Sequence, residues 1–170
     1  MNPPNFIEHN LKIDGLLEIK LDKHQDERGV NFEGYNYDVY KKYNVPNFLV
    51  DSFSISKKHS LRGFHGDKIN WKMIHCLIGE IQFYAIDTRE NSKTFNNIIE
   101  FTLNEENFSQ ILLPPGVVNA HLCLSDECLF AYKLSHNYAK PEEQIHIKWN
   151  NKRFNLNWRT TNPVLSNRDR

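Results

Sequence analysis

Charge of one sign is the first thing this chain lacks. Its 21 basic and 21 acidic residues cancel, so it carries no broad positive field for nucleic acid or anionic lipid, although a pocket in a neutral protein can still be locally basic. Cysteine is scarce. Cys76, Cys123 and Cys128 are an odd set without metal-site spacing. Cys76 and Cys123 sit in apolar runs and read as buried thiols of a reducing compartment. Long hydrophobic runs are missing too. The opening MNPPNFIEHN holds no apolar signal segment, and no stretch reaches membrane-spanning length. These absences lead to the expectation of a soluble, cytoplasmic protein. There is no glycine-rich phosphate loop, no zinc-ligand spacing and no nucleophile elbow, which removes the commonest nucleotide-hydrolysing, zinc and serine-hydrolase signatures.

What is present is alternation. At 170 residues the chain has the length of one domain with a full core, expected to span 1–170. Leu11 to Leu21 reads as a strand pair around Asp14-Gly15, and Asp22 to Gly29 as a charged loop. EGYNYDVYKKY, inside Asn31 to Tyr43, holds a short helical pattern. Strands are expected at Phe48–Ser56, Leu61–Phe64, Trp71–Ile86, Asn97–Leu103, Gln110–Leu113, Val117–Leu124, Cys128–Ser135, Ile145–Trp149 and Phe154–Trp158. Roughly ten short strands with little helical periodicity predict an all-β sandwich or barrel.

Ser60 to Glu80, SLRGFHGDKINWKMIHCLIGE, gathers Arg62, His65, Asp67 and Lys72 among apolar anchors. Short strands around a tight turn project such groups from one inner surface, because side chains alternate across a strand. The turn is expected at His65 to Asn70, with Gly66 and Asp67 as breakers. By residue type alone, an ordinary hairpin with a solvated rim is an equal reading. Further on, Asn119 and His121 share one strand face by period two.

Taken in order, DERG (26–29), SIS (54–56), LRGFH (61–65), Lys72, GE (79–80), DTR (87–89), LPPG (113–116), YK (132–133), Tyr138 and P-x-LSxxD (163–169) resemble the nucleotide-sugar 3,5-epimerases typified by dTDP-4-dehydrorhamnose 3,5-epimerase. The resemblance is collinear over most of the chain. It implies a jelly-roll β-sandwich of the cupin class, a homodimer, and no cofactor or catalytic metal. The implied substrate is a nucleotide sugar with a C4 ketone, which acidifies the protons on C3 and C5. Such chemistry needs a base, an acid on the opposite face, and positive charge near the ketone oxygen.

By the resemblance, His65 is the base, Asp169 its acidic partner, Tyr132 the acid on the other face and Lys72 the cation at the ketone. Arg28 and Arg62 match pyrophosphate-side ligands, with Arg28 reaching the partner subunit's site, and Glu33 and Tyr138 match nucleotide- or sugar-side contacts. Asp87 and Arg89 read as a structural turn pair. His65-Gly66-Asp67 and Asn119-Ala120-His121 further resemble epimerases of GDP-linked 4-keto-6-deoxy-heptoses in capsule polysaccharide pathways. They make Asp67, Asn119 and His121 expected sugar contacts. Where the family motif reads GFAHGF this chain has GVVNAH, so Asn119 stands at the pocket histidine and His121 two residues on. Either a GDP- or a dTDP-linked donor is compatible. The alternatives are a C3-only or C5-only epimerase and a non-catalytic sugar-binding cupin. A metal-dependent cupin has His65, His75, His121, His136 and Glu80 as its available ligands, without the clustered motif.

Overall fold

The computed structural model describes residues 2–170. The strands are β1 Asn5–Glu8, β2 Leu17–Lys20, β3 Lys23–Asp26, β4 Gly29–Phe32, β5 Val50–Lys57, β6 Leu61–Asp67, β7 Lys72–Ile78, β8 Glu80–Asp87, β9 Ile98–Asn104, β10 Ser109–Leu113, β11 Val117–Cys123, β12 Glu127–Leu134 and β13 Gln144–His146. One α-helical turn, α1 Tyr37–Tyr40, is capped by the Asn36 side chain and runs into a 3-10 turn at Lys41–Tyr43. A six-stranded sheet in the order β1-β2-β10-β7-β12-β5 faces a five-stranded sheet in the order β13-β6-β11-β8-β9, and β3-β4 is a separate hairpin. Every strand pairing is antiparallel. Two facing antiparallel sheets with long crossings between them are the expected jelly-roll sandwich.

Alternation explains the layers. Ile74 and Cys76 of β7, Ile111 and Leu113 of β10, and Cys128 and Phe130 of β12 meet Ile81, Phe83 and Ala85 of β8 in the central core. All three cysteines are free and buried. The outer face of the six-stranded sheet is covered by Tyr40 and Val45 against Ile19, Met73 and Leu112. The outer face of the five-stranded sheet is covered by Phe154, Leu156 and Trp158 against Phe64, Tyr84 and Val118. No helix among the described residues is long and apolar enough to cross a membrane.

Four local expectations need correction. The partner of β2 is Asn5–Glu8, not a segment after Leu11, because residues 9–16 form the connecting turns. The charged DKHQDERG loop begins as β3 and turns at Glu27-Arg28 into β4. Phe154–Trp158 is no strand. Its apolar side chains plug a sheet face while its backbone stays irregular. His65 and Gly66 lie within β6, not in a turn, and the bend comes after Asp67. Gly66 is a close-approach position: a Cβ there would lie 2.9 Å from the Val117 carbonyl oxygen. Gly63, at φ +112°, is tighter still, with a Cβ placed 2.5 Å from the Asn119 carbonyl oxygen. The two glycines let β6 lie tightly on β11, where His65 stands opposite Asn119.

Candidate active site

A cavity of about 380 Å³ opens between the two sheets. The five-stranded sheet supplies Arg62, His65 and Asp67 from β6, and Asn119 and His121 from β11. The six-stranded sheet supplies Lys72 from β7 and Tyr132 from β12. Tyr138 and the tail residue Asp169 complete the lining. Nine of the eleven residues singled out in the sequence therefore converge on one cavity.

His65 Nε2 lies 2.7 Å from Asp169 Oδ1 across 104 residues of sequence. The Asp169 carboxylate is almost wholly buried, and its other oxygen, Oδ2, accepts a bond from Ser166 Oγ at 2.9 Å. A carboxylate only accepts, so it holds the ring proton on Nε2 and leaves Nδ1 as the basic nitrogen. Burial pushes the His65 pKa below the usual histidine value; Asp169 opposes this, and the charge of Arg168 adds to it. The net result is a neutral imidazole at neutral pH, the form that can accept a proton.

On the facing wall, the Tyr132 hydroxyl lies 2.7 Å from that of Tyr138. Burial raises the Tyr132 pKa, and the bond with Tyr138 adds to the rise, so the phenol keeps its proton and stays a donor. Lys72 Nζ donates to Asn119 Oδ1 at 3.0 Å and to the His65 carbonyl oxygen at 3.4 Å. Burial brings its pKa down to about 8, with Asp67 opposing, which leaves an ammonium at neutral pH in a poorly solvated place. A base, an acid on the other wall and a cation close to the base fit proton removal beside a ketone.

Comparison with known proteins agrees. The family model for dTDP-4-dehydrorhamnose 3,5-epimerase matches residues 10–170. The chain belongs to this epimerase family. A dTDP-4-dehydrorhamnose 3,5-epimerase of Shigella flexneri is 35% identical over 149 residues, covering 85% of this chain and 82% of that protein. The Escherichia coli K12 enzyme of the same name is 32% identical over 165 residues, covering 93% and 88%. Among solved structures, the Bacillus anthracis enzyme with TDP and pyrophosphate bound superposes with a TM-score of 0.91 at 27% identity, covering 98% of this chain and 96% of that one. The Legionella pneumophila enzyme in complex with dTDP-4-keto-L-rhamnose gives 0.90 at 30% identity, covering 98% and 89%. These names speak of dTDP-linked sugars, and the expectation of a GDP-linked heptose draws nothing from them.

Within this epimerase the departures from the family pattern take physical form. Asn119, at the position of the pocket histidine, is buried and spends its side-chain oxygen on Lys72. His121 shares the cavity face with it, as period two requires, and stacks on Phe130 with ring centres 3.9 Å apart. Burial drives the His121 pKa down to about 3, and the charges of Arg62, His65 and Lys72 push the same way, so this ring is neutral. Asp67 lines the cavity, but its carboxylate is occupied by its own turn. It accepts from the Ile69 and Asn70 backbone N–H groups at 2.9 and 2.6 Å and from Asn70 Nδ2 at 3.1 Å. Arg62 Nε donates to Ser56 Oγ at 3.0 Å.

Arg28 and Glu33 do not reach the cavity of their own chain. Arg28 sits on the exposed β3–β4 hairpin with its guanidinium forked onto Asp26, and Glu33 is exposed beyond β4. Of the histidines weighed as metal ligands, His65 and His121 line this cavity, whereas His75 lines a different one with Phe32 and Gln110. Sequence reasoning missed Phe130 and Leu134, which share the Tyr132 face by period two and were open to that argument. It also missed Ser166, whose bond to Asp169 depends on where the tail folds.

Proposed function

We propose that this chain epimerises a nucleotide-linked 4-keto-6-deoxy sugar at C3 and C5. His65, held by Asp169, takes a proton from the carbon beside the ketone. Lys72 stabilises the charge that develops on the C4 oxygen. Tyr132 returns a proton from the opposite face, and the centre inverts. The observation that carries this reading is the placement of base and acid on facing walls with the buried ammonium beside them. Tyr132 favours the two-face reaction over a C3-only or C5-only epimerase. Lys72→Met is expected to lower kcat about 100- to 1,000-fold, as loss of an oxyanion-stabilising donor does, with the fold intact by circular dichroism.

The relatives' names support a dTDP-linked donor. A GDP-linked heptose is the second reading, favoured by His65-Gly66-Asp67 and Asn119-Ala120-His121. We further propose a cytoplasmic homodimer in which Arg28 reaches the partner's site. The exposed β3–β4 hairpin supports it, as do Phe53 and Ile55, 58% and 64% exposed on the edge strand β5.

Incubation with dTDP- and GDP-linked 4-keto sugars in deuterium oxide, followed by proton NMR, tests the activity. Deuterium at C3 and C5, with both configurations changed, is expected. Label at one carbon supports the narrower enzyme. Binding without exchange of either donor overturns the epimerase reading in favour of a sugar-binding cupin.

A further inference from the structure

His146 stands directly across from His65 in the β13–β6 register. Directly opposed residues of an antiparallel pair project from the same face, and the two rings lie 5.4 Å apart at 29°. Their Nε2 atoms converge on one oxygen, Asp169 Oδ1, at 2.7 Å from His65 and 3.6 Å from His146. All three donor atoms lie within 4.8 Å of one another. The epimerase chemistry uses only the first of these contacts.

We propose that His65, His146 and Asp169 form a binding site for a zinc-like divalent metal ion, and that filling it switches the enzyme off. Two imidazoles and one carboxylate are a zinc donor set, whereas magnesium and calcium prefer oxygen alone. Tetrahedral zinc with bonds of about 2.0–2.1 Å keeps its donors about 3.3 Å apart. The 2.7 and 3.6 Å separations bracket that spacing. The His146 side chain is 31% exposed, so its ring can rotate to close the remaining gap. Asp169 is anchored through Oδ2 by Ser166, which frees Oδ1 for the metal. His65 and Asp169 line the cavity and His146 does not, so the ion sits at the cavity wall on the His146 side of the base.

Inhibition follows from the ring. Metal takes the lone pair of His65 Nε2, and the one remaining ring proton moves to Nδ1. An imidazole metallated at one nitrogen and protonated at the other has no lone pair left to accept a proton from carbon. The loss of activity, though not the binding, rests on the epimerase reading above.

Titration calorimetry of the metal-stripped full-length protein with zinc chloride is expected to show one site per chain. Cobalt(II) should give the visible absorption of a tetrahedral centre. His146→Ser is expected to weaken zinc binding at least about 100-fold, more than the loss of an outer-shell partner does, and to turn over normally without metal. Zinc should stop the wild type reversibly, with EDTA restoring it, and leave His146→Ser active. Zinc bound equally well by His146→Ser, or not bound by the wild type, overturns the site. Undiminished turnover by the zinc-loaded wild type overturns the switch. A protein that never epimerises in the absence of metal fails the functional reading alone, since calorimetry and the cobalt spectrum still decide the site.

Discussion

His65→Ala is expected to lower kcat by about three orders of magnitude, the middle of the range for loss of a positioned general base, while the nucleotide sugar still binds. The phosphate and nucleotide contacts proposed for the substrate fall on other residues, so the loss should fall on kcat and on deuterium exchange, not on Kd. Asp169→Asn sharpens the test. A carboxamide can turn its N–H group toward Nε2 and push the ring proton to Nδ1, the nitrogen that must be free. The orientation stays similar while the tautomer is wrong, and a loss of about 10²- to 10⁴-fold is expected. Removing His65 leaves the buried Asp169 with Ser166 as its bonded partner, so a modest fall in Tm accompanies the change. Retained exchange at C3 and C5 in His65→Ala would assign the proton removal to another group.

The strands that carry this chemistry were readable because their two faces differ. In β5, VDSFSISK, and β12, ECLFAYKL, period-two alternation placed the elements correctly, and in the structure Phe130, Tyr132 and Leu134 share one face of β12. Alternation failed where apolar residues cover a sheet without joining it. Phe154, Leu156 and Trp158 are spaced like a strand, yet they only plug the outer face of the five-stranded sheet. It also failed at Gly66-Asp67. Glycine there serves the approach of β11, and Asp67 bends the chain only through its bonds to the residues that follow. The His65–Asp169 pair spans 104 residues, so no local pattern shows it. It was legible only through the collinear family resemblance, which in turn says nothing about His146. Arg28 and Glu33 carry the same lesson from the other side, since a motif match fixes the residue type but not whether the residue lines the cavity of its own chain.

Asp87→Ala is expected to be the most damaging single change outside the cavity, lowering stability by about 3–5 kcal/mol in chemical denaturation, the usual result of stripping one partner from a buried charge pair. Asp87 ends β8 with no exposed surface. Its Oδ1 accepts from the Arg89 backbone N–H at 3.0 Å and from Arg89 Nε at 2.8 Å. Its Oδ2 accepts from Arg89 Nη2 at 2.8 Å and from the Ser92 and Thr94 hydroxyls, each at 2.7 Å. Arg89 Nη2 also donates to the Asp14 carbonyl oxygen at 2.7 Å, so this one carboxylate ties the turn before β2 to the end of β8. Thr88 next to it bonds twice to the Gly116 carbonyl oxygen and holds the start of β11, the strand that carries Asn119 and His121. Burial alone would raise the Asp87 pKa, but the bonds from Arg89, Ser92 and Thr94 outweigh it and bring the value down to about 2. An unfolded aspartate titrates near about 3.9. The folded state therefore binds this proton less readily than the unfolded chain. The stabilisation, about 2–3 kcal/mol by linkage, is complete above about pH 4 and is lost as pH falls through about 2. Asp87→Asn keeps the shape but abolishes that titration, so its unfolding free energy should lose the Asp87 share of the acid dependence seen in the wild type. An unchanged acid limb in Asp87→Asn would place the acid sensitivity on other carboxylates.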